Sequence, residues 1–190
     1  MIEYWWPTEI GFYDNPEHDK LNLVDYCYEI QSKTESGGKD WISSDTYNTS
    51  NRKFQPHKDE KFKKLDDWIK EQIKNYIIET NLAYEITEEQ TDSWFNIYKK
   101  GDFQEIHDHL SYVLSAVYFL KSNPEFSPLT FRPNFLDHLA IGKTQGLCTN
   151  CNVNYSATPG RLVVFRSYLP HCVEKHKDNE DRISIAYNMR

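Results

Sequence analysis

Between residues 59 and 79, Phe62, Leu65, Ile69, Ile73, Tyr76 and Ile77 fall on one stripe, while Lys63, Lys64, Asp67, Lys70, Glu71 and Lys74 fall on the other. A three-and-four spacing of apolar residues is what an α-helix needs to bury one face, so the pattern predicts a helix over 59–79 that braces a second layer. From Thr91 onward the pattern changes to short runs rich in Val, Ile, Tyr and Phe at 93–99, 111–121, 161–167 and 182–189. The runs are separated by Lys100-Gly101-Asp102, Ser122-Asn123-Pro124 and Pro159-Gly160. β-Branched and aromatic side chains fit a pleated surface and Gly, Pro and Asn end it, so this half reads as a mainly β fold, an antiparallel roll of two sheets. Residues 1–58 show no comparable order. They hold Trp5 and Trp6 before Pro7, a break at Ser36-Gly37-Gly38 and a polar stretch over 43–51, and only 21–30 reads as a short helix. The least legible segment, 123–156, carries Pro124, Pro128, Pro133, Gly142 and Gly146 and is expected to form a loop over a pocket mouth.

The length of 190 residues implies one domain spanning 1–190, with an N-terminal extension and helices over 1–90 and a β core over 91–190. A chain of this size buries well over half of its extended surface without help, so a metal site in it is more than a structural staple. The charge of −7, from 22 Lys and Arg against 29 Asp and Glu, argues against a general role on nucleic acid or at a membrane surface, since both call for a basic footprint. No apolar run approaches the ~20 residues that span a bilayer, and the N-terminus lacks the layout of a signal peptide. The expected location is cytoplasmic, with Cys27, Cys148, Cys151 and Cys172 reduced. Cys148-x-x-Cys151 is two ligands short of a zinc knuckle unless His138 or Cys172 joins it, and it reads as two thiols in a loop.

The candidate chemistry lies in the second half. His107 and His109 are two apart, so a strand would turn both imidazoles to one face and Asp108 to the other. His171, after Pro170, can join them from a neighbouring strand, and three such ligands leave part of a metal's coordination sphere open. Read alone, the pair could equally be surface or hydrogen-bonding histidines. Past His171 come ten residues and then Arg182-x-Ser184. Alternation places Arg182, Ser184, Ala186 and Asn188 on one face, which points either into a cavity or into water. In a cavity Arg182 would need an anion, because an unpaired buried guanidinium is very costly; in water an ordinary surface ion pair would suffice.

Trp94-Phe-Asn-Ile-Tyr-Lys-Lys-Gly101, Glu105-Ile-His107-Asp-His109, Leu114-Ser-Ala-Val-Tyr-Phe-Leu120, Pro159-Gly-Arg-Leu-Val-Val-Phe165, Pro170-His171 and Arg182-Ile-Ser184 together resemble the Fe(II)/2-oxoglutarate-dependent dioxygenases. Within them the chain is most similar to the group with a His-x-His first motif, related to the prolyl-4-hydroxylase-like branch. Trp41, followed by Ser43 and Ser44, resembles that group's N-terminal region. The resemblance implies a double-stranded β-helix (jelly roll) with bracing N-terminal helices. It implies Fe(II) on His107, His109 and His171, the distal carboxylate of 2-oxoglutarate on Arg182 and Ser184, and hydroxylation of a small molecule or a protein side chain with release of succinate and carbon dioxide. Tyr98 resembles a tyrosine that contacts cosubstrate in the prolyl-hydroxylase branch, or else is a core aromatic. The broad superfamily has Asp or Glu where His109 stands, which leaves Asp108 as a second candidate ligand. An all-imidazole set also suits zinc, copper and nickel. The competing resemblance is to a three-histidine cupin. Gly101 and the His-x-His pair match its first motif, but the following Glu is missing, the spacing after Gly160 fails, and Arg182 has no part in it.

Overall fold

The computed structural model describes residues 8–38, 41–42, 45–132 and 152–190. Among the described residues ten strands form two antiparallel sheets, and two α-helices pack outside the larger one. The strands are β1 (Ile10–Asp14), β2 (Tyr47–Asn48), β3 (Thr91–Tyr98), β4 (Gln104–His107), β5 (Leu114–Lys121), β6 (Leu129–Phe131), β7 (Val153–Tyr155), β8 (Arg161–Arg166), β9 (His171–Val173) and β10 (Arg182–Met189). The larger sheet runs β1-β8-β5-β10-β3-β2 and the smaller β4-β9-β6-β7. This is the double-stranded β-helix. Among the described residues no helix is long and apolar enough to cross a membrane.

Helix α1 covers Val24–Lys33 and α2 covers Lys63–Glu79. The predicted stripe is the buried face of α2: Leu65, Ile69, Ile73 and Tyr76 pack with Phe62 against Ile183, Ile185 and Tyr187 of β10. Each such apolar side chain contributes about 1.5–3 kcal/mol when fully buried. One polar tie crosses the same interface. The Tyr187 hydroxyl donates to Asp66 Oδ1 at 3.1 Å, and Lys70 Nζ meets the other oxygen of that buried carboxylate at 2.7 Å. The helix therefore fixes β10, which carries Arg182 and Ser184.

The even-numbered residues of β10 turn the other way. Arg182, Ser184, Ala186 and Asn188 line a cavity of about 300 Å³ between the sheets, with Trp94, Asn96 and Tyr98 of β3 beside them. Past that cavity Phe119, Leu129, Phe131, Val163 and Phe165 close a second apolar core between the two sheets. β10 lies between β3 and β5, so all eight of its residues are buried. An exposed strand with Arg182 in a surface ion pair is thereby ruled out.

Other expectations change in detail. The helix expected at 59–79 starts at Lys63, because Pro56–Lys58 and Glu60–Phe62 form 3-10 turns, the second capped by Asp59 Oδ1 accepting the Lys61 N–H at 2.9 Å. The short helix expected at 21–30 spans Val24–Lys33, and the strand expected from 111 begins at Leu114. Residues 1–58 are not all irregular, since β1 pairs with β8 and β2 with β3. Within 123–156, β6 and β7 pair in the smaller sheet. Residues 133–151, which hold Cys148 and Cys151 and most of the loop expected over a pocket mouth, lie outside the described residues, as do Trp5, Trp6, Ser43 and Ser44.

Candidate metal and cosubstrate site

Strand β4 pairs with β9 so that His107 stands directly opposite His171. His109 lies two residues past the end of β4, not on it. The ladder stops because the next partner along β9 is Pro170, which has no N–H to give. Two backbone bonds hold His109 in place instead: its N–H donates to Ser167 O at 2.8 Å, and its carbonyl accepts from Tyr112 N–H at 2.8 Å. Alternation persists through this bend. His107 and His109 are partly buried and point inward, whereas Ile106, Asp108 and Leu110 are exposed. Asp108 thus stays outside the cluster.

The ligand-capable nitrogens of His107, His109 and His171 all lie within 4.8 Å of one another. Ring centroids are 4.3 Å apart for His107 and His171, 4.9 Å for His107 and His109, and 5.2 Å for His109 and His171. His107 Nδ1 is 2.8 Å from Glu105 O, and His171 Nδ1 is 2.8 Å from Leu169 O. A carbonyl only accepts, so both Nδ1 atoms carry the proton and both Nε2 atoms present a lone pair. Metal-binding histidines are oriented in this manner.

Burial, reinforced by the neighbouring imidazole of His107, pulls the pKa of His109 down to about 3. His171 is pulled well below the usual histidine range by burial, and then by repulsion from His107. Both rings stay neutral, hence ready to ligate, well below the ordinary histidine pKa of about 6.5. The sign for stability follows. In the unfolded chain these rings take protons below about pH 6.5, in the fold they do not, so metal-free stability is full above that pH and falls as pH drops from there toward about 3. Urea unfolding of metal-free protein at pH 7.5 and pH 5 is expected to give a lower midpoint at pH 5. His109→Leu is expected to flatten that slope.

Among the described residues Arg182 is the largest fully buried side chain, at 1% exposure. Its Nη1 reaches Ser184 Oγ at 3.5 Å, and its guanidinium carbon lies 4.9 Å from the Tyr98 ring centroid and 5.3 Å from that of Phe119. Among the described residues Nε and Nη2 have no hydrogen-bond partner, and no carboxylate pairs with the group. A buried cation with two orphaned donors facing a cavity needs an anion. Tyr98 sits opposite Arg182 in the ladder, is itself buried, and also lines the cavity. Burial, opposed by the nearby guanidinium, pushes its phenol up to about 12, so it stays a neutral donor. Tyr98 is thus a buried aromatic that also lines the cavity.

The three imidazoles, Arg182, Ser184 and Tyr98 therefore share one cavity. The donor set fits a divalent metal, and the orphaned guanidinium fits a carboxylate. Residues not expected from sequence also line it: Trp41, Trp94, Asn96, Gln104 and Glu105. Strand parity with Tyr98 could have flagged Trp94 and Asn96, and parity with His107 could have flagged Glu105. Nothing local singles out Trp41 beyond its family resemblance. Cys172 is free, buried and absent from the cluster; it opens with Arg132 and Lys175 onto a separate cleft.

The chain is similar in fold to a prolyl-4-hydroxylase from Pseudomonas putida, with a TM-score of 0.64 and 17% identity over 96% of this chain and 93% of that one. A Trichoplax adhaerens prolyl hydroxylase, solved with a hypoxia inducible factor peptide fragment, matches with a TM-score of 0.62 and 14% identity over 95% of this chain and 82% of that one. HygX from Streptomyces hygroscopicus, solved with nickel and 2-oxoglutarate, matches with a TM-score of 0.56 and 10% identity over 96% and 83% of the two chains. No curated protein sequence matches the chain. The model of the family described as "Putative 2OG-Fe(II) oxygenase" matches residues 92–188, just over half the chain and the part that holds the three histidines, Arg182 and Ser184. The chain belongs to that family, the 2OG-Fe(II) oxygenases, whose members depend on Fe(II) and 2-oxoglutarate.

Proposed function

We propose that this oxygenase hydroxylates an organic substrate, a small molecule or a protein side chain, with release of succinate and carbon dioxide. His107, His109 and His171 hold Fe(II) and Arg182 holds the distal carboxylate of 2-oxoglutarate, with Ser184 and Tyr98 beside it. The observation that carries the reading is Arg182: fully buried, with Nε and Nη2 unpartnered, on the wall of the cavity that holds the three imidazoles. Fe(II) and 2-oxoglutarate supply the oxidising chemistry, in which one atom of O₂ enters succinate as carbon dioxide leaves and the other enters the substrate C–H bond.

The protein's own part is binding, orientation and exclusion of water. A guanidinium can engage a carboxylate through two parallel N–H bonds, which fixes the direction of the bound molecule as well as its place. The neutral Tyr98 phenol can add a donor without adding charge. Leu129, Phe165 and Val173 give the cavity an apolar wall beside His171, and an apolar wall strengthens charged contacts made against it. Glu105 O and Leu169 O hold two of the imidazoles in the ligating tautomer. Three neutral ligands leave the metal its full double charge, which favours a dianionic cosubstrate.

A three-histidine cupin would use the same imidazoles but gives Arg182 no task, and that alternative is not favoured. The test is turnover without added substrate. With Fe(II), ascorbate and O₂, slow consumption of 2-oxoglutarate with an equal yield of succinate is expected, abolished without O₂ and in His171→Ala. Persistence of 2-oxoglutarate under these conditions, at the level of the no-enzyme control, would contradict the proposal.

A further inference from the structure

Glu105 lies two residues before His107 and lines the same cavity. Its carboxylate is held by two neutral donors, the Ile42 backbone N–H at 3.1 Å and Gln104 Nε2 at 3.0 Å. Among the described residues no cation pairs with it. Among the described residues it is the one acidic side chain on a cavity wall whose other charged group, Arg182, has the opposite sign. A register shift of β4 against β9 between Gln104 and His107 brings the neighbouring Gln104 to the cavity as well. Gln104 is 6% exposed, and because its Nε2 is committed to Glu105, its Oε1 is left as a buried acceptor with no partner. Trp41, next to the residue whose N–H holds Glu105, adds an indole to the half-exposed rim.

A carboxylate without a counter-ion, an orphaned amide oxygen and an indole form a set of acceptors and a π-face in search of donors. Such a set recognises an organic cation, through charged hydrogen bonds to the oxygens and cation–π attraction to the ring. The overall charge of −7 favours the approach of the same kind of ligand. We infer that the substrate carries a primary ammonium or guanidinium group that docks on Glu105, Gln104 Oε1 and Trp41, while Arg182 takes the anionic cosubstrate. As a statement about substrate this rests on the function proposed above. As a statement about binding it stands by itself.

The test is a titration of metal-free protein, followed by calorimetry and tryptophan fluorescence, with paired probes. L-Lysine is set against L-norleucine, L-arginine against L-citrulline, and acetyl-Gly-Lys-Gly-amide against the same peptide with acetylated lysine. At least one cation is expected to bind about tenfold or more tighter than its neutral counterpart. Glu105→Gln, which keeps the side-chain shape, is expected to remove that preference, and Trp41→Leu to weaken binding roughly two- to fivefold. Binding by free lysine or arginine alone identifies a small amine; binding by the peptide identifies a protein side chain. The inference is overturned if no cation binds at millimolar concentration, if neutral counterparts bind as tightly, or if Glu105→Gln keeps the parent's preference while its melting curve shows it folded. Titration of the iron-loaded parent with 2-oxoglutarate separates the two claims. Cosubstrate binding without cation preference sinks the cation site alone, and cation preference without cosubstrate binding sinks the proposed function alone.

Discussion

Arg182→Ala is expected to weaken 2-oxoglutarate binding by about 2–4 kcal/mol, the range for a desolvated charged contact, with iron content unchanged. The size follows from burial. The guanidinium is 1% exposed, so water does not screen its attraction for a carboxylate, and removing it leaves that carboxylate beside Tyr98 and Phe119 with the charge uncompensated. Arg182→Lys keeps the charge and loses the fork, so its loss is expected to be smaller. Ser184→Ala is expected to cost about 1 kcal/mol, one neutral hydrogen bond. The free protein tells a different story for stability. Among the described residues Arg182 has no anionic partner, so Arg182→Ala is expected to melt no lower than the parent in the absence of cosubstrate. Calorimetric titration of iron-loaded variants with 2-oxoglutarate measures the first effect, and parent-like affinity in Arg182→Ala would contradict the assignment.

The second large effect concerns the metal. A His107→Ala, His171→Ala double variant is expected to lose stoichiometric iron altogether, because it removes the two imidazoles that face each other across β4 and β9 with their Nδ1 atoms tied to carbonyls. His109→Leu is expected to lose metal too. His109→Asp should retain it, since a carboxylate at that place is an equally good ligand for Fe(II), with cosubstrate affinity lowered because one neutral ligand becomes anionic. Iron analysis after anaerobic loading and desalting decides. Iron retained by His109→Leu would move attention to Asp108, although that side chain is exposed and faces away from the cluster.

The parts of the fold legible in sequence are the long elements whose two faces differ in polarity. Helix α2 shows its stripe because one face meets the sheet and the other meets water, and β10 reads clearly because eight successive residues keep strict alternation. The strand β1 was not legible: Ile10-Gly-Phe-Tyr-Asp14 carries a glycine and an aspartate, and only its pairing with the distant β8 makes it a strand. β6, β7 and β9 are three residues each, too short to show any period. The site divides in the same way. The inward parity of Arg182 and Ser184 is a local property and could be read directly. That His109 hangs on Ser167 O beyond the end of β4, or that Trp41 comes to the cavity from a distant loop, depends on tertiary contacts that no spacing encodes.

If Fe(II) on the three imidazoles and 2-oxoglutarate on Arg182 share one cavity, adding Fe(II) and then 2-oxoglutarate to the protein without oxygen is expected to give a weak visible absorption band. The band should need both additions, saturate at one equivalent of each per chain, and be absent from the His107→Ala, His171→Ala variant. In Arg182→Ala the band should appear only at much higher 2-oxoglutarate. No band in the parent, or an unchanged titration in Arg182→Ala, would contradict that shared site.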